Sequence, residues 1–102
     1  MSHKILFVDE DKKLLNSLKL HFSKKFDVSV LSTADEVLKH PFVKDPVAIV
    51  VSELHLPDIN GVELFFKLRE LSPDTIRILH TAQPDYETAL NAINQGHIFK
   101  FF

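Results

Sequence analysis

Acidic side chains follow two short apolar runs of the sequence, and their type and position suit the binding of a divalent cation. Asp9-Glu10-Asp11 comes directly after the run Lys4–Val8, and Glu53 comes two residues after the run Val47–Val51. Uninterrupted apolar runs of this kind are typical of strands that are buried on both faces of a parallel sheet. Because ligands bind beyond the carboxyl ends of the strands in open α/β sheets, we expect these acids to meet at one edge of the sheet.

Clustered carboxylates of this kind favour Mg²⁺. Like charges a few ångströms apart raise each other's pKa, whereas a hard cation keeps them ionised and binds carboxylate and backbone carbonyl oxygens. The backbone carbonyl of His55 would complete such a ligand set. A second interpretation stays open, in which Asp9-Glu10-Asp11 caps the start of a helix, where acids interact favourably with the positive end of the helix dipole.

The elements that position these acids alternate between strand and helix patterns. Apolar residues at helical spacing predict an amphipathic helix over Leu14–Phe22, and Asp27–Leu31 is predicted to be the second strand. Ser32 or Thr33 is expected to start a short second helix, which His40-Pro41 ends.

The second half of the chain continues this alternation. It contains a third strand, a third helix, a fourth strand, a fourth helix and the start of a fifth strand, predicted at Val47–Val51, Gly61–Leu71, Thr75–His80, Tyr86–Ile93 and Ile98 onwards. The order βαβαβαβαβ predicts an α/β fold, a flavodoxin-like doubly wound parallel sheet of strand order 2-1-3-4-5 with right-handed crossovers. The pattern lacks a fifth helix, which would cover the sheet face that the first helix leaves partly bare.

Composition excludes several classes of function. The 102 residues carry 14 acidic and 12 basic side chains, a formal net charge of −2, so nucleic-acid binding by this domain is not expected. The chain has no cysteine for a disulfide framework or a thiolate nucleophile, and it shows neither a signal peptide nor a membrane-length apolar run. We therefore expect one cytoplasmic domain that has no contact with a membrane.

Three motifs on the ends of predicted strands resemble the receiver domain of two-component response regulators. They are ILFVDED at Ile5–Asp11, SELHLPDING at Ser52–Gly61 and LHTA at Leu79–Ala82. The resemblance covers essentially the whole chain. It implies a receiver module in phosphorelay signal transduction that acts as a conformational protein-interaction switch and not as an enzyme.

The resemblance also implies roles for matching residues. Asp9 and Glu10 match the acidic pair that holds Mg²⁺, with Glu10 in place of the more usual aspartate. Thr81 matches the hydroxyl residue that hydrogen-bonds the phosphoryl oxygen in the active state. The small Ala82 beside it leaves room for that group.

Glu53 stands where receivers carry the aspartate that accepts phosphate from a histidine kinase, and it belongs to the implied Mg²⁺ ligands. Its extra methylene moves the carboxylate by roughly 1.5 Å, a large misplacement for a reaction in which positioning supplies most of the catalysis. Several interpretations stay open: a degenerate receiver that is not phosphorylated, a partial imitation of the phosphorylated state, or weak residual phosphotransfer. Glu53 is also compatible with an incidental or engineered substitution that only retains metal binding.

The carboxyl-terminal part departs from the family pattern as well. Phe101 matches the aromatic residue whose rotamer reports the switch, with Lys100 as the rival for that position. Receivers carry a lysine and a fifth helix after the fifth strand, and neither is present, so we expect residues 1–102 to be an incomplete receiver domain from a longer protein. The uncovered sheet face predicts self-association, giving a homodimer.

The partners that the resemblance implies are a histidine kinase or phosphotransfer protein and an effector domain C-terminal to this segment. A phosphorylation-independent interaction domain is an alternative. A flavodoxin-like cofactor-binding protein or phosphatase-type enzyme is a third function on the same topology. The third is disfavoured because the chain has only two glycines, Gly61 and Gly96, and no glycine-rich phosphate loop.

Overall fold

The computed structural model describes residues 3–41, 49–80, 87 and 100–101, the last pair by their backbone alone. Five strands form one parallel sheet in the order β2-β1-β3-β4-β5. Their bounds are β1 His3–Val8, β2 Phe26–Leu31, β3 Ile49–Glu53, β4 Ile76–His80 and β5 Lys100–Phe101. This order confirms the predicted flavodoxin-like topology.

Three helices are described between the strands: α1 Lys12–Phe22, α2 Ala34–Leu38 and α3 Gly61–Leu71. Each begins after a residue whose side chain accepts hydrogen bonds from backbone N–H groups of the first turn, namely Asp11, Thr33 and Asn60. Such caps satisfy N–H groups that have no partner within the helix. The structure therefore selects Thr33, and not Ser32, as the residue that starts α2.

The core lies on both faces of the sheet because successive side chains of a strand point to opposite sides. Leu6 and Val8 of β1 pack with α2 and α3, where Leu64 and Phe65 are fully buried. Ile5 and Phe7 face the other side and pack with Leu15 of α1. The first strand is buried on both faces, as its uninterrupted apolar run predicts.

The element boundaries agree closely with the predictions. The third strand extends two residues further than predicted and ends at Glu53, so the carboxylate belongs to the last residue of the strand. The predicted fourth helix lies outside the described residues, except that Glu87 has helical conformation.

Candidate functional site

The strand register brings three side chains to the carboxyl edge of the sheet. Val8 pairs with Ser52, so Asp9 leaves β1 beside Glu53 at the end of β3. Glu53 in turn pairs with His80, the last residue of β4. The three chain segments that could contribute to a common site therefore end at the same level.

A cavity of about 320 Å³ lies at this edge. Its lining residues come from the β1–α1 turn, α1, the end of β3 and the end of β4: Asp9, Glu10, Asp11, Leu14, Glu53, His55 and His80. The acids that were expected to converge thus share one cavity. Because the lining is mainly anionic, the cavity suits a cation better than an anion.

Asp9 lies in an environment that disfavours its ionised form. Burial raises the pKa of Asp9, while a 2.8 Å hydrogen bond from the Asp11 N–H to its Oδ1 opposes that effect. The Glu53 carboxylate and Asp11 raise the pKa of Asp9 further, and His80 lowers it. Desolvation and like charge therefore destabilise the ionised form of Asp9, and a bound cation would offset that destabilisation.

The Glu53 carboxylate is engaged by the backbone of its own loop. Its Oε1 accepts a hydrogen bond from the N–H of Leu54 at 2.9 Å and a longer one from the N–H of His55 at 3.4 Å. The side chain is therefore folded back over the start of the β3–α3 loop, residues 54–60. One carboxylate oxygen is already satisfied by protein donors.

The β3–α3 loop is held in place by a close backbone approach at its end. The N–H of Gly61 donates to the carbonyl oxygen of Leu54 at 2.8 Å. A Cβ atom at position 61 would lie 2.6 Å from the carbonyl oxygen of Glu53 and 2.9 Å from Cδ1 of Leu79. Only glycine fits this position without a shift of the backbone.

Asp58, in the middle of the same loop, connects the loop to α2. Its two carboxylate oxygens accept hydrogen bonds from the N–H groups of Ala34 at 3.0 Å and Asp35 at 2.9 Å. Desolvation by itself would raise the pKa of Asp58, but the backbone hydrogen bonds, chiefly those from Asp35 and Ala34, outweigh it and lower the pKa. Asp58 is therefore a structural carboxylate that stays ionised.

The carboxylates of the cavity fit a partly hydrated Mg²⁺ better than a cage built of protein ligands alone. Within residues 3–41 and 49–80, no three His, Asp or Glu side chains lie close enough together to hold a metal ion. Asp9 and Glu53 nevertheless interact electrostatically across the cavity. Mg²⁺ commonly uses one or two carboxylates and keeps several waters, so two carboxylates in an open cavity of this size are compatible with it.

Several residues with predicted roles lie outside the described part. Thr81 and Ala82 are among the residues that the structure does not describe, and Lys100 and Phe101 are described as strand backbone only. Asp11, which one interpretation assigned to a helix start, does cap α1: its Oδ1 accepts from the N–H groups of Lys13 and Leu14.

Sequence reasoning missed two residues of this region. No role is predicted for His80 from the sequence, but it lines the cavity with Asp9 and Glu53. Its position as the last residue of a predicted strand was the available signal, since such residues lie at the edge where ligands bind. Asp58 gave no such signal, because its partners are 23 and 24 residues away in the sequence.

The fold and the cavity together define a class of protein: an open, doubly wound α/β domain with an acidic cavity at the carboxyl edge of its sheet. Comparison with known proteins identifies the family within that class. The model of the response regulator receiver domain matches residues 5–101. The chain therefore belongs to the receiver domains of response regulators, the signalling modules of two-component systems.

Similar proteins are found among curated sequences and solved structures. The hydrogenase transcriptional regulatory protein HoxA of Cupriavidus necator is 26% identical over 95% of this chain and 20% of its own length. The transcriptional regulatory protein GlrR of Escherichia coli K12 is 31% identical over 99% of this chain and 23% of its own length. A crystal structure of an adenylate cyclase from Rhodopirellula baltica superposes with a TM-score of 0.92 at 33% identity, covering 100% of this chain and 76% of the other.

The chain thus spans about a fifth of the length of these two curated relatives. No helix in the described ranges is both long enough and apolar enough to cross a bilayer.

Proposed function

We propose that this receiver module works as a protein-interaction switch that carries a permanent anion, the Glu53 carboxylate, in place of a transferable phosphoryl group. The observation that supports this most is the pair of hydrogen bonds from the Leu54 and His55 N–H groups to Glu53 Oε1. A carboxylate held by its own loop is a poor nucleophile for in-line attack, because attack requires alignment with the donor phosphorus. Glu53 is therefore not a phosphoacceptor in this proposal, and the domain does not act as an enzyme.

A carboxylate reproduces only part of the phosphorylated state. It carries one charge, against roughly −1.5 to −2 for a phosphoryl group, and two acceptor oxygens instead of three. The domain is therefore biased toward the active arrangement without reaching it fully. Binding of Mg²⁺ or of a partner completes the shift by favouring one of two pre-existing states.

Mg²⁺ is the cofactor of the proposed site. Asp9 and Glu53 would hold it, with Glu10 at the rim of the cavity and the backbone carbonyl of His55 as a further ligand. The ion would neutralise the mutual repulsion of these acids, which is the source of part of the raised pKa of Asp9. Thr81, Ala82 and Phe101 are proposed to transmit the state of the cavity to the surface that partners read.

The proposed partners follow from the family. A histidine kinase or phosphotransfer protein would contact the domain upstream, and an effector domain C-terminal to this segment would respond, within a longer cytoplasmic protein. An apolar cavity of about 300 Å³ between α1 and the sheet, bordered by Phe7, Leu18, Val51 and Ile78, supports a homodimer that covers this face.

The test is incubation with acetyl phosphate and Mg²⁺ followed by intact mass spectrometry. We expect no phosphoryl adduct on the wild-type protein and a labile adduct on the Glu53→Asp variant, whose shorter side chain restores the ordinary acceptor. The variant is the positive control for the reagent and for the remaining site. If the wild-type protein gains a phosphoryl group as readily as the variant, Glu53 is an acceptor and the proposal fails.

A further inference from the structure

Asn60 and Gly61, where the β3–α3 loop joins α3, form the only Asn-Gly pair in the chain. In such a pair a backbone amide nitrogen readily attacks the preceding side-chain amide, because glycine has no Cβ to hinder the approach. The reaction converts asparagine to aspartate or isoaspartate without an enzyme. The pair is therefore a place where the covalent structure of this domain is open to change.

Two separate requirements of the fold bring these residue types together. Position 61 accepts only glycine without a backbone shift, because a Cβ there would lie 2.6 Å from the carbonyl oxygen of Glu53. Position 60 requires a side chain that caps α3, and Asn60 Oδ1 accepts a hydrogen bond from the Glu63 N–H at 2.9 Å. Serine would also serve as a cap, so Asn60→Ser removes the reactive amide and keeps the capping interaction.

The closed loop holds the reacting atoms apart by three hydrogen bonds. The Gly61 N–H, which must lose its proton before the nitrogen attacks, donates to the carbonyl oxygen of Leu54 at 2.8 Å. Glu63 binds both ends of the Asn60 amide, since its N–H donates to Oδ1 at 2.9 Å and its Oε1 accepts from Nδ2 at 3.3 Å. The Asn60 ψ of 163° is that of an extended residue, whereas ring closure requires the Gly61 nitrogen to eclipse Cβ. Attack therefore requires the loop to open.

The anchor of this loop lies two residues before the pair. Asp58 accepts hydrogen bonds from the N–H groups of Ala34 at 3.0 Å and Asp35 at 2.9 Å, which hold the loop against α2. Pro57 and Asp58 are exposed and Asn60 is half-buried, so water reaches this part of the loop. Local opening of an exposed segment costs less free energy than unfolding of the whole domain.

We propose that Asn60 is a modification site whose reaction is controlled by opening of the β3–α3 loop. In the open loop, hydroxide removes the Gly61 amide proton. The nitrogen then attacks Asn60 Cγ to form a five-membered imide, and Nδ2 takes a proton from water and leaves as ammonia. Water adds to either imide carbonyl and opens the ring, giving aspartate or isoaspartate at position 60.

The isoaspartate product changes the path of the main chain. Its backbone runs through the former side chain, so one additional carbon lies between the nitrogen of residue 60 and Gly61. Gly61 is then displaced from Leu54 and from the carbonyl oxygen of Glu53, to which it lies close in the unmodified loop. The modified loop no longer closes, and this consequence does not depend on the role of the Glu53 carboxylate.

The test follows deamidation of the whole 102-residue chain in mildly alkaline buffer, folded in sodium chloride and unfolded in guanidinium chloride of equal concentration. Peptide mapping by liquid chromatography and mass spectrometry separates the asparagine, aspartate and isoaspartate forms at position 60. We expect the folded chain to react at least about tenfold more slowly, because only its locally open fraction reacts. Asn16, which precedes Ser17 within α1, should stay unmodified in the folded chain.

Matched variants separate opening of this loop from unfolding of the domain. Asp58→Ala should speed the reaction about fivefold, the factor that corresponds to the loss of about 1 kcal/mol of capping. Thr33→Ala weakens α2 without touching the loop, because its Oγ1 binds the Glu36 N–H, and it should change the rate less than about twofold. Asn60→Ser should gain no mass at this peptide. Circular dichroism establishes that each variant is folded during incubation.

The effect of the product is measured against a variant of the same charge. Deamidated protein, separated by its added negative charge, should unfold at a lower urea concentration than Asn60→Asp, which has an ordinary backbone and a good capping residue. Equal urea midpoints would show that the modification does not disturb the loop, and that part of the inference would be wrong.

Each contrary rate also overturns the inference. Equal rates in the folded and unfolded chains would show that the closed loop does not hold the reacting atoms apart. Equal acceleration by Asp58→Ala and Thr33→Ala would assign the reaction to unfolding of the whole domain. An unfolded chain that keeps its asparagine would show that the site does not react. An Asp58→Ala chain that stays unmodified while the unfolded chain is consumed would show that the loop does not control the reaction.

Discussion

Asp9 and Asp58 both follow the carboxyl ends of strands of one sheet, and the fold shifts their pKa values in opposite directions. Asp9 is partly buried near Glu53, and burial together with like charge raises its pKa. Asp58 is exposed, and although desolvation acts against it, backbone hydrogen bonds from α2 lower its pKa. The difference distinguishes two roles of a carboxylate. Asp58 holds the β3–α3 loop to α2, whereas the ionised form of Asp9 is disfavoured and would be stabilised by a bound cation.

Glu53 combines features of both carboxylates. Like Asp58 it accepts backbone hydrogen bonds, and like Asp9 it lines the anionic cavity. The Glu53 carboxylate therefore contacts the backbone of its own loop while it lines the cavity.

Gly61→Ala should have the largest effect on stability, because it shifts the β3–α3 loop and so moves Asp58 away from the N–H groups of α2. The added Cβ would overlap the carbonyl oxygen of Glu53, and overpacking of this kind costs about 1–3 kcal/mol. Urea denaturation should show a loss of about 2 kcal/mol. Ser17→Ala, at an exposed position of α1, is the control, and an equally small effect of both substitutions would show that the loop is not tightly anchored at Gly61.

Asp9→Asn should lower the affinity for Mg²⁺ at least about tenfold, equivalent to about 1.4 kcal/mol, because one of two proposed carboxylate ligands is lost. The measurement is a Mg²⁺ titration followed by amide chemical shifts around the cavity. Asp27→Asn, at an exposed aspartate of β2, should leave the affinity unchanged. If the wild-type resonances do not respond to Mg²⁺, the metal site does not exist.

Asp58→Ala should reduce the free energy of unfolding by about 1 kcal/mol at neutral pH, the usual effect of removing a helix cap. The hydrogen bonds to the N–H groups of Ala34 and Asp35 are lost, and Thr33 alone remains as the cap of α2. Thermal or urea unfolding measures the change, with Asp74→Ala in an exposed turn as the control. A loss no larger than that of the control would mean that Asp58 does not stabilise α2.

The smallest predicted effect is an opposite pH dependence of the two aspartates. The folded-state pKa of Asp58 is lowered, so its stabilisation is present above the ordinary pKa of 3.8 and is lost as the pH falls through the lower folded value. The folded-state pKa of Asp9 is raised, so ionised Asp9 is destabilising above that pKa, and the penalty disappears as the pH falls to 3.8.

At pH 7 without Mg²⁺, Asp9→Asn should therefore be more stable than wild type, and Asp58→Asn less stable. Each difference should be a few tenths of a kcal/mol to about 1 kcal/mol, because both groups are partly or fully exposed to solvent. Both differences should shrink as the pH falls from about 6 to about 3, a range that includes the ordinary aspartate pKa of 3.8. Unfolding free energies of the two variants with the same sign at pH 7 would contradict the comparison.

Much of the fold can be predicted from the sequence, because short-range patterns of apolar residues determine where the strands and helices form. The apolar runs at Lys4–Val8 and Val47–Val51 indicated parallel strands, and parallel strands with right-handed crossovers leave few arrangements. The meeting of Asp9 with Glu53 is a consequence of that topology. The family resemblance added the expected roles of residues that strand patterns alone do not specify.

The remaining features depend on side-chain directions and on contacts between distant residues. The bonding of Glu53 Oε1 to Leu54 and His55 requires one particular rotamer, which no sequence pattern specifies. The bonds from α2 to Asp58 join residues 23 and 24 positions apart. The exposure of Leu20 depends on which side of α1 packs on the sheet, and the leucines at 14, 15, 18 and 20 are not distinguished by the sequence alone.

The central claim is that the Glu53 carboxylate accepts hydrogen bonds from the amides of its own loop, and NMR hydrogen exchange of the Leu54 and His55 amide protons tests it directly. In the wild-type protein both amides should exchange more slowly than in Glu53→Ala, with the larger difference at Leu54, whose hydrogen bond is the shorter at 2.9 Å. Equal exchange rates in the two proteins would show that the carboxylate does not contact the loop, and the account would be wrong.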